Sequence, residues 1–249
     1  MDEAILEAVL NHDAPPTLRF YAWNPPCLSL GYAQSIDDVD RAGIERERWD
    51  LVRRPTGGKA ILHTDEITYS ISAPDDHPVF ANGVLPSYGR ISRALIAGLQ
   101  RVGLDPELNV SPPATENNPV CFQNPGAFEI TVEGKKLVGS AQLRRAGGVL
   151  QHGSLPLVGE LARICQGLFY ASGPEREQAM EQVDRHAITV ERALGDAVTW
   201  VQMAEHLRVG FENVLQLHFK REDLTRPEIL RSHEIFEERY SLPDWTQRI

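Results

Sequence analysis

Between residues 87 and 102 the apolar side chains Ile91, Leu95, Ile96, Leu99 and Val102 recur at helical spacing, while segments on either side alternate with a period of two. This one amphipathic helix set among short strands constrains the chain most, because the apolar face of a sheet must be covered by helices or by a second sheet. Segments 18–23 and 28–32 read as strands separated by Pro25-Pro26, and 51–54 as a strand entering the turn Thr56-Gly57-Gly58. The alternation of Ile67, Tyr69 and Ile71 predicts a half-buried strand over 67–72. Segments 128–132 and 137–143 flank Glu133-Gly134 as a β-hairpin, and 149–157 follows as a further strand. Residues 4–10 read as a helix. Ser35 reads as the N-cap of another, with Asp37 and Asp38 in its first turn and its end near residue 49. Beyond 158 the pattern is helical, most clearly at 198–215 and 227–240. The expected fold is α+β, with mixed and antiparallel sheets packed against helices. No repeat or linker divides the 249 residues, so 1–249 reads as a single domain without a separate accessory domain.

Composition excludes several function classes. A net charge of −10 without a basic stripe argues against a nucleic-acid partner. No apolar run reaches the roughly 20 residues needed to cross a bilayer. The start Met1-Asp2-Glu3-Ala4 lacks the basic-then-apolar order of a secretion signal, so the expected location is the cytosol, with no membrane partner. The short basic pairs Arg53-Arg54, Lys135-Lys136 and Arg144-Arg145 read mostly as solvated surface charge, with room for a local patch toward an acidic protein. Cys27, Cys121 and Cys165 are odd in number and widely spaced, with no CxxC, which supports neither a metal knuckle nor a dithiol. Each reads first as a small buried hydrophobe.

Two segments carry chemistry. In Arg53-Arg54-Pro55-Thr56-Gly57-Gly58-Lys59 the glycines let backbone approach a phosphate or carbonyl, but a P-loop would need Gly at 53 and Ser or Thr at 60. Taken alone, the segment is a turn between strands. In the hairpin, strict alternation puts Lys136 and Val138 on one face and Leu137 on the other. Gly139-Ser140-Ala141 is a run of small residues inside a strand, which leaves room for a slender ligand. The loop 111–126, with four prolines and three asparagines, holds Cys121 near its end.

Together the strings RRPTGGKAILHTDEITYS, CF, EGKKLVGSAQLRR and GGVLQHGSL resemble, in order and spacing, the biotin/lipoate protein ligase superfamily, and within it the octanoyltransferases of the LipM type. The resemblance covers nearly the whole chain. It implies transfer of octanoyl from octanoyl-acyl carrier protein to a lysine of a lipoyl-carrier protein such as the glycine cleavage H protein. It places Cys121 as the acyl-accepting nucleophile and Lys136 as its partner. Arg54, Thr56, Gly57 and Gly58 of the turn, with Gly139, Ser140, Ala141 and Gln142 of the strand, would line the acyl site, and His63 and His152 fall at family histidine positions. The turn has two glycines followed by Lys59, where ATP-using ligases usually have three. The sequence also begins later than the family's usual first strand, so that edge is expected to be trimmed or supplied differently.

The implied chemistry needs no cofactor and no metal, since a thioester is already activated. A free thiol's pKa of about 8.5 leaves it mostly protonated at neutral pH, and a nearby ammonium favours the thiolate and steadies the oxyanion. An octanoyl tail buries about seven carbons at roughly 0.8 kcal/mol each, of order 5 kcal/mol before entropy losses. The strands around Leu137, Val138, Val149 and Leu150 are expected to supply the slot. Two alternatives stand beside this reading. One is an ATP-dependent lipoate-protein ligase working through an acyl-adenylate. The other is a non-catalytic protein that binds acyl-carrier or lipoyl domains.

Overall fold

The computed structural model describes residues 1–109 and 128–248. In chain order its strands are β1 (Thr17–Tyr21), β2 (Cys27–Leu30), β3 (Asp50–Arg53), β4 (Ile61–His63), β5 (Glu66–Pro74), β6 (Glu107–Asn109), β7 (Glu129–Val132), β8 (Lys135–Arg145) and β9 (Gly148–Pro156). The helices are α1 (Asp2–Leu10), α2 (Arg41–Glu47), α3 (Val84–Gln100), α4 (Gly173–His186), α5 (Val190–Leu194), α6 (Trp200–Leu215), α7 (Arg226–Ile235) and α8 (Pro243–Thr246). A six-stranded antiparallel sheet runs β1-β5-β9-β8-β7-β6. A smaller sheet, β3-β2-β4, pairs β2 with β3 in parallel and with β4 antiparallel. The fold is therefore α+β with mixed pairing.

The apolar stripe of α3 lies on one face of the large sheet. Ile91, Leu95 and Leu99 meet Ile67, Tyr69 and Ile71 of β5, and Met203, Leu207 and Phe211 of α6 close the cluster. The helices touch because Gly98 has no side chain: a Cβ there would stand 2.7 Å from the Leu207 Cα. Each large apolar side chain fully buried here contributes about 1.5–3 kcal/mol. A second cluster joins Leu28, Leu30 and Ile61 of the small sheet to Ile164, Cys165 and Leu168, and to Val183 of α4.

Two expectations change. β5 is buried on both faces, because α1 covers the side opposite the core: Ser70 Oγ donates to Asp2 Oδ1 at 3.0 Å, and Thr68, Ser70 and Ser72 are all buried. The single helix expected from Ser35 to residue 49 is two pieces. Ser35 caps only a short 3-10 turn, Ile36–Asp38. Val39 then turns extended to bridge Leu168, and Asp40 caps α2 by accepting from the Gly43 N–H at 2.9 Å. No helix among the described residues is long and apolar enough to cross a membrane.

Candidate active site

The hairpin β7–β8 turns through Glu133 and Gly134, both at positive φ. Its register is bulged: Val132 pairs with Lys135, Thr131 with Lys136, but Ile130 with Val138, leaving Leu137 as the extra residue. The alternation of β7 then puts Lys136 and Val138 on opposite faces, correcting the expectation that they share one. Lys135 and Lys136 do point apart, as strand geometry requires. Lys135, half-buried, donates its Nζ to the Asp184 carbonyl at 3.0 Å. Lys136 is 2% exposed and its ammonium is paired with the Glu129 carboxylate. The other oxygen of that carboxylate, Oε2, is buried and takes no hydrogen bond from the described residues.

The face that carries Lys136 continues along β8 as Gly139 and Ala141. They sit beside Ser154 and His152 of β9, which in turn pair with Thr68 and Ser70 of β5. Opposite stands the small sheet. Thr56 Oγ1 is 2.7 Å from His152 Nε2. Burial pushes His152 down to about 4, against the raising influence of Asp2, so its ring is neutral at physiological pH. His63 Nδ1 lies 2.8 Å from Glu66 Oε1, and its ring stacks on Trp23 with centroids 4.3 Å apart. Thr68 and Ser154 also donate to the buried Glu66 carboxylate, and Trp23 Nε1 donates to Thr68 at 2.9 Å. Thr56 thus meets His152, with Gly139 and Ala141 beside the same stretch of β9, while Lys136 is tied to Glu129 and His63 to Glu66.

The glycine turn is held from behind. Arg54 donates to the carbonyls of Ser29 (2.8 Å), Gly57 (2.9 Å) and Lys59 (2.7 Å), so its guanidinium braces the turn. Arg53 is buried and donates to the carbonyls of Gly31 at 2.8 Å and Gln34 at 2.5 Å. Gly31 must be glycine, since a Cβ there would lie 1.8 Å from the Gly58 carbonyl oxygen. These contacts overturn the reading of Arg53-Arg54 as solvated charge, while Arg145 is exposed as that reading expected. Arg53, Arg54 and Lys136 are buried, each bonded to carbonyls or a carboxylate brought to it by the folded chain. In front of the turn opens a cavity of about 740 Å³ lined in part by Thr56, Gly57, Gly58 and Leu143.

The remaining small-strand residues separate. Ser140 and Gln142 face the core side, where Ser140 Oγ is 2.7 Å from the Tyr69 hydroxyl and Gln142 Nε2 donates to Gln151 Oε1 at 2.7 Å. A second cavity, of about 200 Å³, lies there between the start of α3 and the hairpin, bordered by Leu85, Tyr88, Phe128, Glu129, Val138 and Ser140. Of the four residues expected to supply an acyl slot, only Val138 borders it. Leu137 and Val149 are packed in the core and Leu150 is buried. Cys121 lies outside the described residues. The two described cysteines are both buried: burial pushes the Cys27 thiol up to about 12 and raises Cys165 as well, so neither offers a thiolate.

The profile of the lipoyl protein ligase A/B catalytic domain matches residues 1–212. The chain belongs to this family. Within the lipoyl protein ligase A/B family, relatives match end to end. Octanoyltransferase LipM of Moorella thermoacetica is 38% identical over all of this chain and 92% of its own length. Octanoyltransferase LipM of Carboxydothermus hydrogenoformans is 34% identical over 100% and 93%, and that of Bacillus subtilis 33% over 100% and 92%. Among solved structures, a lipoate-protein ligase A bound with ATP superposes with a TM-score of 0.80 at 22% identity, covering 99% of this chain and 91% of its own. The lipoate protein ligase of a bi-partite archaeal system from Thermoplasma acidophilum gives 0.78 at 21%, covering 99% and 91%. At those identities the likeness is one of fold.

Sequence reasoning missed Glu129, Glu66 and Trp23. Glu129 precedes Lys136 by seven residues across a bulged hairpin, and no local pattern marks the pair. Glu66, beside His63 in sequence, carried the better signal: a carboxylate at the start of an apolar strand is buried only when donors converge on it.

Proposed function

We propose that the chain is an octanoyltransferase of lipoate biosynthesis. It moves octanoyl from a carrier-bound thioester, with octanoyl-acyl carrier protein as the donor, to a lysine of a lipoyl-domain protein such as the glycine cleavage H protein. The observation that carries this is the end-to-end match to relatives named octanoyltransferase, at 33–38% identity. Two further observations support a cysteine mechanism. The resemblance puts the nucleophile at Cys121, and the two described cysteines, Cys27 and Cys165, are buried, poorly acidic thiols that do not compete for the role. Lys136 is a buried cation on the face that carries Gly139, Ala141 and His152.

In this reading the Cys121 thiolate attacks the thioester carbonyl, and the carrier thiolate leaves and takes up a proton. Lys136 stabilises the charge that develops on the carbonyl oxygen, in a site dry enough for one cation to matter. The acceptor's ε-amine then attacks the acyl-cysteine, Cys121 leaves as thiolate, and the amine's surplus proton passes to a neighbouring base. Glu129 holds Lys136 in place, and neutral His152 holds Thr56 on the glycine turn. Gly139 and Ala141 leave space for the acyl chain to lie against β8. The test is transfer from octanoyl-acyl carrier protein to a lipoyl domain without nucleotide. Product without ATP is expected. Ligation of free octanoate or lipoate only with ATP and magnesium, and none from the thioester, would instead identify an adenylating ligase.

A further inference from the structure

The cavity of about 740 Å³ in front of the glycine turn has a composition unlike the rest of this acidic chain. Lys59, Arg145 and Arg239 line it, and its described lining contains no carboxylate. Arg239 is matched outside the cavity by Glu3, at 2.6 Å. Arg145, at the exposed end of β8, makes no ion pair among the described residues. Gly57 is exposed, and a Cβ placed on it would meet nothing within 4 Å, so the turn's backbone is open to a ligand. Tyr32, Pro55, Leu143 and Trp245 add apolar surface.

One wall comes from the C-terminal segment, which lies beyond the residues matched by the family profile. Helix α7 packs across α1, where Arg231 meets Glu7 at 2.6 Å. The chain then locks onto the glycine-turn arm. Trp245 Nε1 donates to the Arg53 carbonyl at 2.8 Å, and Arg53 Nη2 donates back to the Thr246 carbonyl at 2.9 Å. Arg248 stacks on Tyr32 at 3.7 Å and donates to its carbonyl at 2.9 Å. These contacts fix Trp245 and Arg239 as the outer wall.

We propose that the glycine turn, the end of β8 and this C-terminal strap form an anion subsite that takes the phosphate of a phosphopantetheine-type thioester arm, with Arg145 as its principal charge and Trp245 packing on the arm. A cavity with surplus positive charge and aromatic walls suits an extended, partly apolar arm ending in a phosphate. The assignment rests on the thioester-transfer reading above. The same arm is carried by an acyl carrier protein and by coenzyme A, so the shared phosphopantetheine is the recognised chemistry.

The test compares octanoyl-acyl carrier protein, octanoyl-coenzyme A, octanoyl-4′-phosphopantetheine and octanoyl-pantetheine as donors. Loss of the phosphate is expected to lower kcat/KM by about tenfold or more, mainly through KM, as for a lost charge-assisted hydrogen bond. Arg145→Ala and Trp245→Ala are expected to bring the ratio of phosphorylated to unphosphorylated small donor close to one. Thermal melts of both variants check that the fold persists. Equal use of the two small donors by the wild type, or an unchanged ratio in folded Arg145→Ala, overturns the subsite. Calorimetry with 4′-phosphopantetheine, pantetheine and AMP decides the question even if no donor is turned over. Phosphate-dependent binding that Arg145→Ala abolishes supports the subsite. Binding without regard to phosphate, or tighter binding of AMP, overturns it.

Discussion

The two faces of the six-stranded sheet are built from alternate residues of the same strands, yet they obey different rules. On one, Ile67, Tyr69 and Ile71 lie under α3 and α6 in a dry apolar cluster. On the other, Thr68, Ser70, His152 and Ser154 stand beside Gly139 and Ala141, facing α1 and the small sheet. There Glu66 collects donors from His63, Thr68 and Ser154, and Lys136 is tied to Glu129. The first face is selected for volume. The second carries small side chains at Gly139 and Ala141, where the proposed acyl chain would lie, and buries charge where partners converge. Stability should therefore belong mainly to the first face and chemistry to the second.

The largest effect expected is on the first face. Phe211→Ala, at a fully buried position, should cost about 3–5 kcal/mol in a denaturant titration while leaving the transfer rate per folded molecule near that of the wild type. A rate loss larger than the folded fraction explains would mean that the faces are not separable. Next is Lys136→Met, which should slow transfer by about 10²–10³, or about 2.7–4 kcal/mol, the range seen when an oxyanion donor is removed. It also leaves Glu129 without its cation, so stability should fall as well. Adding Glu129→Gln should recover stability without recovering rate. Recovery of both would assign Lys136 a structural role only.

A smaller effect tests the polar face by pH. His152 sits near 4 in the folded protein because burial disfavours its charged form, and the unfolded chain titrates it near 6.5. Between those values the unfolded state binds a proton that the native state does not. Stability from this residue is thus complete above about 6.5 and falls as pH drops toward 4, by about 3 kcal/mol. His152→Gln should flatten that part of the stability profile, and the ring's NMR titration should have its midpoint near 4. A midpoint near 6.5 would remove the buried, neutral ring from the account. The smallest effect is Lys135→Ala, where the exposed hydrogen bond to Asp184 should contribute under about 1 kcal/mol and the transfer rate should hardly change.

Much of the fold was legible because local periodicity carries it. The stripe Ile91-Leu95-Leu99 marks α3, Glu133-Gly134 marks the hairpin turn, and the helical pattern past 198 marks α6 and α7. What was not legible depends on pairing between distant segments. Val39 breaks the helix expected after Ser35 because Leu168 pairs with it. The bulge at Leu137 reverses the strand parity, so Lys136 leaves the side of Val138. Arg53 and Arg54 read as surface charge until the carbonyls of Gly31, Gln34, Ser29 and Lys59 are in place around them. Within the candidate site, the residue types at Lys136, His63, His152 and Thr56 were visible. Glu129, Glu66 and Trp23, which hold or stack on them, were visible only in three dimensions.

The central claim is a covalent acyl-cysteine, and intact-protein mass spectrometry tests it most directly. After incubation with octanoyl-acyl carrier protein and no acceptor, the mass should rise by one octanoyl group, and peptide mapping should place it on Cys121. The adduct should be released by hydroxylamine, be absent in Cys121→Ala, and discharge onto an added lipoyl domain. An unmodified wild-type protein that still transfers octanoyl, or a Cys121→Ala variant with undiminished activity, would contradict the account.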